Sequence, residues 1–389
     1  MEIVAATTPR TAAPLTLSAF EFPLPAELIA QVPAERRDAA RLLGLDRRTG
    51  ALTHTLVSAL PELLHPGDLL IVNDTRVIPA RTFGRVASGG AVELLLIRPM
   101  MGATVPLLPK EGSGDVDFPP TLSSPSPALR KEEAETWLCL GKPAKRLRLG
   151  TVLTMAGGIR VTITAAHGEG RYAATFENAA DARTLLEQHG EIPLPPYIRR
   201  PNGPLPLDRE RYQTIFAASP GAIAAPTAGL HFTDGLMRGL QARGVGSARL
   251  TLHVGPGTFL PVRSEDIRAH VMEPEWCEIP ASTVAAIDAT KAAGGRVIAV
   301  GTTTTRALES AATADGRVAA GARWADCFIV PGHRFRVVDA LFTNFHLPGS
   351  TLLLLVSAFA GRAAVLDAYT EAIQRRYRFY SYGDAMLIQ

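Results

Sequence analysis

The sequence predicts an α/β protein in which an α/β sheet domain carries an inserted small antiparallel β-barrel domain. Strand and helix patterns alternate at both ends of the 389-residue chain, whereas its middle contains short period-two segments without an intervening helix. Such an insertion is tolerated because chain ends usually lie close together at the surface. We therefore predict a disordered extension at 1–17, an α/β domain at 18–75 and 178–389, and a barrel at 76–177.

The first part of the predicted α/β domain begins with a short helix and turn at Leu24–Ala40. Two strand-like runs follow, Arg41–Asp46 and Ala51–Val57, with the turn sequence Arg-Arg-Thr-Gly between them. The apolar run Gly67–Asn73 predicts a buried strand.

The middle of the chain supplies the barrel strands. Gly157-Gly158 suits a hairpin turn between two of them. Residues 101–133 combine Pro, Ser, Gly and charge without apolar periodicity, which predicts an exposed insertion in a barrel loop. The predicted barrel strands are Val77–Val86, Val92–Arg98, Thr136–Leu140, Thr151–Met155, Ile159–Ala165 and Arg171–Phe176.

Helices and strands alternate again after residue 181. Gly190 ends the first helix, a proline-rich connection follows, and Thr233 is the expected N-cap of the second helix. The predicted helices are Asp181–His189, Thr233–Arg243, Ser282–Ala293, Ala307–Ala312, Ser350–Ala360 and Ala363–Arg376. The predicted strands are Ser247–Val254 and Arg296–Val300. The second strand leads through Gly301 and four threonines into a helix, the layout of an α/β ligand-binding edge.

Composition and charge narrow the class of protein. A chain of 389 residues is longer than a single hydrophobic core usually accommodates. Its content of 47% hydrophobic and 20% charged residues is typical of a soluble globular protein. Cys139, Cys277 and Cys327 are widely spaced and odd in number, which argues against a disulfide framework or a zinc site and favours a reducing cytoplasm. The most apolar run, Thr351–Ala360, is shorter than the ~20 residues that span a bilayer. We expect no membrane span.

Three segments place a histidine among glycine, proline and threonine: Ala225–Phe232 with His231, Thr251–Phe259 with His253, and Thr343–Thr351 with His346. Glycine allows close backbone approach to a ligand, proline fixes a turn, and imidazole titrates near neutral pH. We interpret the segments as walls of one pocket. The alternative is a partly buried imidazole that bonds a neighbouring carbonyl.

The histidine spacing matches no metal motif, so acid–base or substrate-orienting roles are favoured. Gly301 and its threonines could hold a carboxylate or phosphate, although an ordinary helix N-cap also explains them. Asp266, in the sequence Ser-Glu-Asp, is a candidate catalytic carboxylate or a charge that serves a helix dipole. Gly255-Pro-Gly257 is not a dinucleotide fingerprint.

Arginine groups are the main sign of an acidic partner, since the net charge is only +3. Arg36-Arg37, Arg199-Arg200 and Arg375-Arg376-Tyr-Arg378 could contact phosphates if they share a face, or could be scattered solvated charges. The cluster Asn73–Arg81 lies at the domain junction, where Asp74 could instead pair with an arginine. The tail aromatics Phe379, Tyr380 and Tyr382 could stack on bases or simply pack.

Ordered blocks from Phe20 to Ile388 make the chain resemble the S-adenosylmethionine:tRNA ribosyltransferase-isomerases of queuosine biosynthesis. The likeness is interrupted mainly at Met101–Glu133, and His270-Val-Met-Glu273 departs from a common His-x-Met-His. Many ordered blocks are far more specific than any single motif. The matching blocks are Pro33–Asp38, Gly67–Arg81, Arg211–Thr214, the three histidine segments, Val300–Thr303 with Arg306 and Glu309, and Tyr377–Asp384.

The resemblance implies a fold with an inserted β-barrel and a reaction without metal or redox cofactor, in which S-adenosylmethionine is a consumed substrate. Its ribosyl part would pass to 7-aminomethyl-7-deazaguanine at the wobble position of tRNA, giving epoxyqueuosine, adenine and methionine. A cytoplasmic monomer is expected. An S-adenosylmethionine-dependent tRNA methyltransferase and a catalytically silent tRNA-binding protein are the competing hypotheses.

The residue patterns and the resemblance together suggest site residues. The catalytic candidates are His231, His253, His346 and Asp266. The candidates for S-adenosylmethionine binding are Thr227, Gly229, Gly255, Gly257, Gly301, Thr302, Thr303, Arg306, Asn344 and Ser350. The candidates for tRNA binding are Arg36, Arg37, Arg76, Arg81, Arg199, Arg378 and Tyr382.

Overall fold

The computed structural model describes residues 16–100, 134–201, 203–259 and 264–389. The predicted loop at 101–133 lies outside the described residues. So does the predicted extension, apart from its last two residues.

Seventeen strands form in the described part of the chain, and they build one large sheet, one barrel and one small two-stranded sheet. In chain order they are β1 Arg41–Leu45, β2 Leu52–Leu56, β3 Leu69–Asn73, β4 Thr75–Val77, β5 Arg81–Val86, β6 Ala91–Pro99, β7 Glu135–Lys142, β8 Val152–Met155, β9 Arg160–Gly168, β10 Arg171–Phe176, β11 Ser219–Ala222, β12 Gly246–Leu252, β13 Glu275–Ile279, β14 Val297–Val300, β15 Gly321–Ala325, β16 Ala340–Asn344 and β17 Ala385–Ile388.

The helices connect these strands and cover the large sheet. In chain order the α-helices are α1 Leu60–Leu63, α2 Ala179–Thr184, α3 Pro206–Arg211, α4 Asp234–Ala242, α5 Ala281–Ala292, α6 Thr302–Ser310, α7 Thr351–Ala360 and α8 Arg362–Gln374. A π-helical turn, Leu185–His189, continues α2. A 3₁₀ turn at Thr227–His231 carries the first histidine segment.

The large sheet has the strand order β15-β13-β12-β3-β14-β16-β17-β1-β2. Its centre, β12-β3-β14-β16, is parallel, whereas β13, β15, β17 and β2 join through antiparallel pairs. Alternate residues of β3 point to opposite faces: Leu69 and Ile71 enter one apolar core, and Leu70 and Val72 enter another. A parallel sheet buried on both faces requires such continuously apolar strands.

The inserted domain is a closed six-stranded antiparallel barrel with the strand order β10-β7-β6-β5-β8-β9. Its interior follows the period-two pattern, since Val92, Leu94 and Leu96 on β6 are all buried. The fold class predicted from the sequence is therefore confirmed. The predicted boundaries between the domains stay a prediction, although every barrel strand lies within 76–177.

An ion pair joins the barrel to the sheet domain at the position where the sequence departs from its expected family pattern. Arg171 on β10 donates to the carboxylate of Glu273, which precedes β13. The Arg171 side chain is largely buried, so this contact is shielded from screening by salt.

Several local expectations are wrong. Leu24–Ala40 contains 3₁₀ turns rather than an α-helix, because its prolines restrict the preceding residues and remove N–H donors. Helix α6 begins at Thr302 rather than at Ala307. The hydroxyls of Thr304 and Thr305 donate to backbone carbonyls four residues earlier, so the threonines fit inside the helix. Strands β13, β15, β16 and β17 are not among the strands predicted from the sequence.

No single helix in the described ranges is both long enough and apolar enough to cross a membrane. Helices α7 and α8 reach that length and composition only as a pair, and they meet at a bend of 114°.

Asp384 anchors the C-terminal tail to the sheet. Its carboxylate accepts hydrogen bonds from the backbone N–H of Arg41 at 3.0 Å and of Arg378 at 2.8 Å, and from Nε of Arg41 at 3.2 Å. Asp384 is buried, so these bonds replace its hydration.

We expect Asp384→Asn to lower the free energy of unfolding by about 3 kcal/mol, because it leaves a guanidinium without its buried counter-charge. Urea unfolding measures the change. The exposed Asp367→Asn on α8 is the matched control and should shift stability by less than about 0.5 kcal/mol. Equal stability of the two variants would contradict an anchoring role.

Candidate functional site

The ends of four parallel strands place the candidate residues at one edge of the large sheet. Because β12, β3, β14 and β16 are parallel, their carboxyl ends meet at the same edge. His253 follows β12, Gly301 follows β14, and Asn344 is the last residue of β16. This edge is where open α/β sheets bind ligands.

A cleft at this edge, the first cleft, contains about 520 Å³ of space, part of it open to solvent. It brings together residues from all three histidine segments and from the turn after β14. The predicted residues that line it are Thr227, Gly301, Thr302, Thr303, Asn344 and His346. The tail and the proline-rich connection add Tyr197, Tyr380 and Ser381.

The N-terminus of α6 faces this cleft. Gly301 is the N-cap and has φ 97°, a conformation that costs glycine little, and a Cβ there would lie 3.5 Å from Ala228. The hydroxyls of Thr302 and Thr303 form no hydrogen bond within the described ranges. A helix N-terminus presents backbone N–H groups and a positive dipole end. The arrangement suits a carboxylate.

Asn344 connects the first cleft with His231. Its amide nitrogen donates to the carbonyl of Tyr380 at 3.2 Å and to Nε2 of His231 at 3.1 Å. The carbonyl contact fixes the orientation of the amide, so Nε2 of His231 is an acceptor and the proton of a neutral ring lies on Nδ1. Within the described residues, the buried Oδ1 of Asn344 has no hydrogen-bond partner.

Tyr380 is held in a strained backbone conformation beside Asn344. Its φ is 74°, which is unusual for a residue other than glycine. The backbone N–H of Tyr380 donates to the carbonyl of Phe345 at 3.0 Å. The Tyr380 ring meets the Tyr197 ring edge to face, with 3.9 Å between centroids. The hydroxyl of Tyr197 lies 2.5 Å from the Ser381 hydroxyl. Strain of this kind concentrates at functional sites.

His346 lies in the wall of the first cleft. Its Nε2 is 2.9 Å from the hydroxyl of Thr343, and its backbone N–H donates to the hydroxyl of Tyr369 at 3.0 Å. The imidazole is buried. Its position is therefore fixed from two sides.

His253 is not part of the cleft wall. Its Nδ1 lies 2.8 Å from the hydroxyl of Thr75, and its ring stacks on Trp276 with 5.0 Å between centroids. Gly221 packs against the other side, where a Cβ would meet the imidazole at 2.6 Å. These contacts hold the imidazole of His253 in place, and its catalytic role stays a prediction.

Burial keeps the three imidazoles uncharged. It lowers the pKa of His231 and of His253 from 6.5 to about 4, and the pKa of His346 to about 3. At neutral pH each ring is therefore in its uncharged form.

A second cleft lies on the other side of His231 and contains about 260 Å³ of space. It is lined by Pro33, Ala34, Arg37, Ala40, Arg211, Leu230, His231, Ser381 and Tyr382. Ser381 lines both clefts. The contact between His231 and Asn344 therefore lies between two neighbouring spaces.

Comparison with known proteins identifies the family. The family profile described as queuosine biosynthesis protein matches residues 17–388. The chain therefore belongs to the queuosine biosynthesis protein family. The resemblance inferred from the sequence is confirmed.

Relatives in this family match over nearly the whole chain. An S-adenosylmethionine:tRNA ribosyltransferase-isomerase of Citrifermentans bemidjiense is 51% identical over 372 residues, which cover 96% of this chain and 99% of the relative. The protein of the same name from Geotalea uraniireducens is 47% identical, over 96% of this chain and all of the relative. The crystal structure of S-adenosylmethionine tRNA ribosyltransferase from Thermotoga maritima is 34% identical, with a TM-score of 0.50, and covers 95% of this chain and 100% of that one.

Some residues that the family resemblance suggested have other partners. Arg306 is buried, and its guanidinium donates to Glu275 at 2.5 Å and to the carbonyls of Ala325 and Cys327. Asp266 is an exposed cap that accepts from the backbone N–H of Arg268 at 3.0 Å. Both side chains are thus engaged by partners within the protein, and their suggested roles stay predictions.

Four further suggested residues make hydrogen bonds or close packing contacts within the protein. Ser350 caps α7 by accepting from Leu353, and Gly255 donates its N–H to Glu275 at 2.9 Å. A Cβ at Gly229 or Gly257 would come within 2.9 Å of a neighbouring side chain. None of the four lines either cleft, so the structure does not bring them to the ligand space.

The arginines suggested for tRNA binding are not alike. Arg76 and Arg199 are exposed, and Arg36 is exposed beside Asp38 at 3.1 Å. Arg81 pairs with Glu93 at 3.1 Å and Arg378 with Asp384 at 3.6 Å. The suggested pairing of Asp74 with Arg76 or Arg81 is wrong, because Asp74 accepts from the hydroxyl of Thr251 at 2.6 Å.

Tyr382 is buried and does not offer its ring to a base. It packs edge to face on Tyr212 with 5.9 Å between centroids. The ring of Tyr382 therefore packs inside the protein, which is one of the two alternatives given above for the tail aromatics.

Across the described residues, no group of three or more His, Cys, Asp or Glu side chains could hold a metal ion.

Sequence reasoning missed Tyr197, Ser381 and Arg211 as residues that line the clefts. The available signal for Ser381 and Arg211 was their place in two of the blocks that carry the family resemblance, Tyr377–Asp384 and Arg211–Thr214. Tyr197 reaches the first cleft through tertiary packing, so no local pattern marks it.

The lowered pKa of the buried histidines predicts acid sensitivity. Between pH 6.5 and about 3 the unfolded chain binds a proton at His346 that the folded protein excludes, so this contribution to stability is complete above pH 6.5 and is lost as the pH falls. Each such imidazole contributes about 1.4 kcal/mol per pH unit.

We expect His346→Gln to unfold with a shallower pH dependence than the unsubstituted protein between about pH 6.5 and about pH 4.5, measured by urea titration. The exposed His167→Gln on the barrel should leave the slope unchanged. A His346→Gln slope identical to that of the unsubstituted protein would show that His346 is not buried and neutral.

Proposed function

We propose that this protein is an S-adenosylmethionine:tRNA ribosyltransferase-isomerase that transfers and isomerises the ribosyl part of S-adenosylmethionine onto 7-aminomethyl-7-deazaguanine at the tRNA wobble position. Its products are epoxyqueuosine in tRNA, adenine and methionine. The names of relatives that share about half of its residues support the activity. The acceptor base and the products follow from the chemistry of the family resemblance.

The observation that carries the proposal is the first cleft. It combines a helix N-terminus, the unpartnered amide oxygen of Asn344 and the neutral imidazole of His346. S-adenosylmethionine has a carboxylate, a ribose and an adenine, which need an anion site, hydrogen-bonding groups and an apolar wall. We assign the carboxylate to Thr302 and Thr303 at the start of α6.

The chemistry requires a neutral base close to the ribose. The positive sulfonium withdraws electrons, so the C–H next to it is acidic for carbon and can lose its proton to an uncharged imidazole. Opening of the sugar then expels adenine, which must gain a proton. The tRNA amine attacks the unsaturated sulfonium and loses a proton, and closure of the epoxide releases methionine.

The two imidazoles that line the clefts are suited to these proton transfers. His346 faces the first cleft, and His231 lies between the two clefts, where a donor and an acceptor would meet. To take up a proton, His231 would exchange the hydrogen bond that its Nε2 accepts from Asn344 for that proton. Burial disfavours the charged form of each ring, which favours passing the proton on. We assign His253 to positioning, and we assign no step to Asp266.

The proposal includes no metal or redox cofactor, because loss of a proton next to a sulfonium needs neither. We further propose that the protein acts in the cytoplasm as a monomer.

Labelled substrate tests the function. With tRNA that carries the deazaguanine, S-adenosylmethionine labelled in the ribose should place label in the tRNA and release free adenine. S-adenosylmethionine labelled in the methyl group should leave the tRNA unlabelled. Methyl label in the tRNA would make the protein a methyltransferase, and binding of tRNA without transfer of either label would make it a binding protein.

Alanine substitutions test the two proton-transfer residues. His231→Ala and His346→Ala should each lower the rate of ribosyl transfer about 100-fold or more at saturating substrates, because each removes a proton-transfer group. The exposed His167→Ala on the barrel is the control and should keep the full rate. A folded His231→Ala or His346→Ala protein with a near-normal rate removes that residue from the mechanism.

A further inference from the structure

The second cleft contains two arginines that stand side by side without a carboxylate partner. Arg37 and Arg211 both line it, and no carboxylate oxygen of the described residues lies within ion-pairing distance of either. Burial and the nearby charge of Arg211 lower the pKa of Arg37, while Glu210 and Tyr382 act in the opposite direction. Like charges held together are unfavourable unless an anion joins them.

Backbone carbonyls hold the two guanidinium groups in place. Arg37 donates to the carbonyls of Leu230 at 3.1 Å and Glu210 at 3.3 Å. Arg211 donates to the carbonyls of Ala34 at 2.5 Å and Glu35 at 3.3 Å. A guanidinium has five N–H donors, so about three remain on each side chain for a ligand. Guanidinium groups that are held in a fixed orientation with free N–H donors favour the binding of phosphate.

A neighbouring arginine shows what a neutralised pair looks like in the same region. Arg200 binds the carboxylate of Asp208 through two hydrogen bonds, at 2.8 and 2.7 Å. Arg37 and Arg211 have no such counter-charge. The contrast marks these two cations as available to an external anion.

Tyr382 supplies a second, independent sign of a ligand. It is 3% exposed and lines the second cleft, and its buried hydroxyl has no hydrogen-bond partner in the described part of the chain. A buried hydroxyl without a partner is costly, and a phosphate oxygen at this place would satisfy it.

We propose that the second cleft binds a phosphodiester of the nucleic-acid acceptor, at a linkage next to the nucleotide that receives the ribosyl group. The inference rests on the proposed function, which supplies an RNA acceptor. Ser381 and His231 border this cleft, and His231 contacts Asn344 of the first cleft. A phosphate held by Arg37 and Arg211 would therefore set the acceptor nucleotide against the donor.

Binding of tRNA in the absence of S-adenosylmethionine tests the proposal without any catalytic step. Filter binding over a range of salt concentrations should show that Arg37→Gln and Arg211→Gln each weaken binding about tenfold and reduce the salt slope by about one. The KM for S-adenosylmethionine should stay within about twofold. Arg317→Gln is the matched control, since Arg317 is exposed and pairs with Asp315 at 3.6 Å.

Conservative variants separate charge from loop structure. Arg37→Lys and Arg211→Lys keep the positive charge, so they should retain the salt slope while losing part of the affinity. If the glutamine variants merely disturbed the loop at Ala34, the lysine variants would behave like them. That result, or an unchanged slope in the glutamine variants, overturns the proposal.

A neutral backbone linkage probes the phosphate directly in the unsubstituted protein. tRNA with one methylphosphonate next to the acceptor nucleotide should bind about tenfold more weakly than normal tRNA. The Arg37→Gln/Arg211→Gln double variant should not distinguish the two RNAs. Equal discrimination by both proteins would refute the assignment.

The remaining outcomes distinguish this inference from the proposed function. A raised KM for S-adenosylmethionine with unchanged tRNA binding would assign the arginines to the donor carboxylate and overturn the inference alone. A protein that shows the expected phosphate dependence but transfers no ribosyl label would contradict the function and support the phosphate site.

Discussion

The contact between Asn344 and His231 is the interaction on which the arrangement of the site depends. One buried amide donates to Nε2 of His231 at 3.1 Å and to the carbonyl of Tyr380 at 3.2 Å. It thereby joins the end of a central strand to a 3₁₀ turn more than a hundred residues earlier and to the C-terminal tail. Loss of either bond would leave a buried polar group unpaired, so the three segments are held together as a unit.

Burial gives the site its chemical character. The same desolvation that lowers the pKa of His231 to about 4 and that of His346 to about 3 keeps both rings neutral at physiological pH. In the proposed mechanism a neutral ring stands beside the positively charged sulfonium without repulsion. Burial also brings acid sensitivity, because unfolding releases each ring to take up a proton. The charge state of the rings and the acid sensitivity of the fold therefore share one physical cause.

The two clefts differ in their charged groups, and the two proposals assign a different anion to each. A helix N-terminus with threonine hydroxyls faces the first cleft and suits a carboxylate, whereas the neighbouring guanidinium groups of Arg37 and Arg211 face the second and suit a phosphate. Arg306, the cation that the sequence suggested for the carboxylate, is instead paired with Glu275 inside the protein. A buried counter-charge thus distinguishes Arg306 from Arg37 and Arg211, for which the described residues supply none.

The sequence by itself determined the α/β class and the inserted barrel, because hydrophobic periodicity and turn residues are local signals. The family followed from the resemblance of many ordered blocks. Tertiary structure alone decided which side chains line the clefts. Arg37 and Arg306 look alike in the sequence, yet a carboxylate from β13 neutralises one, and only backbone carbonyls hold the other. The partner of a charge comes from a distant segment, so no local pattern encodes it.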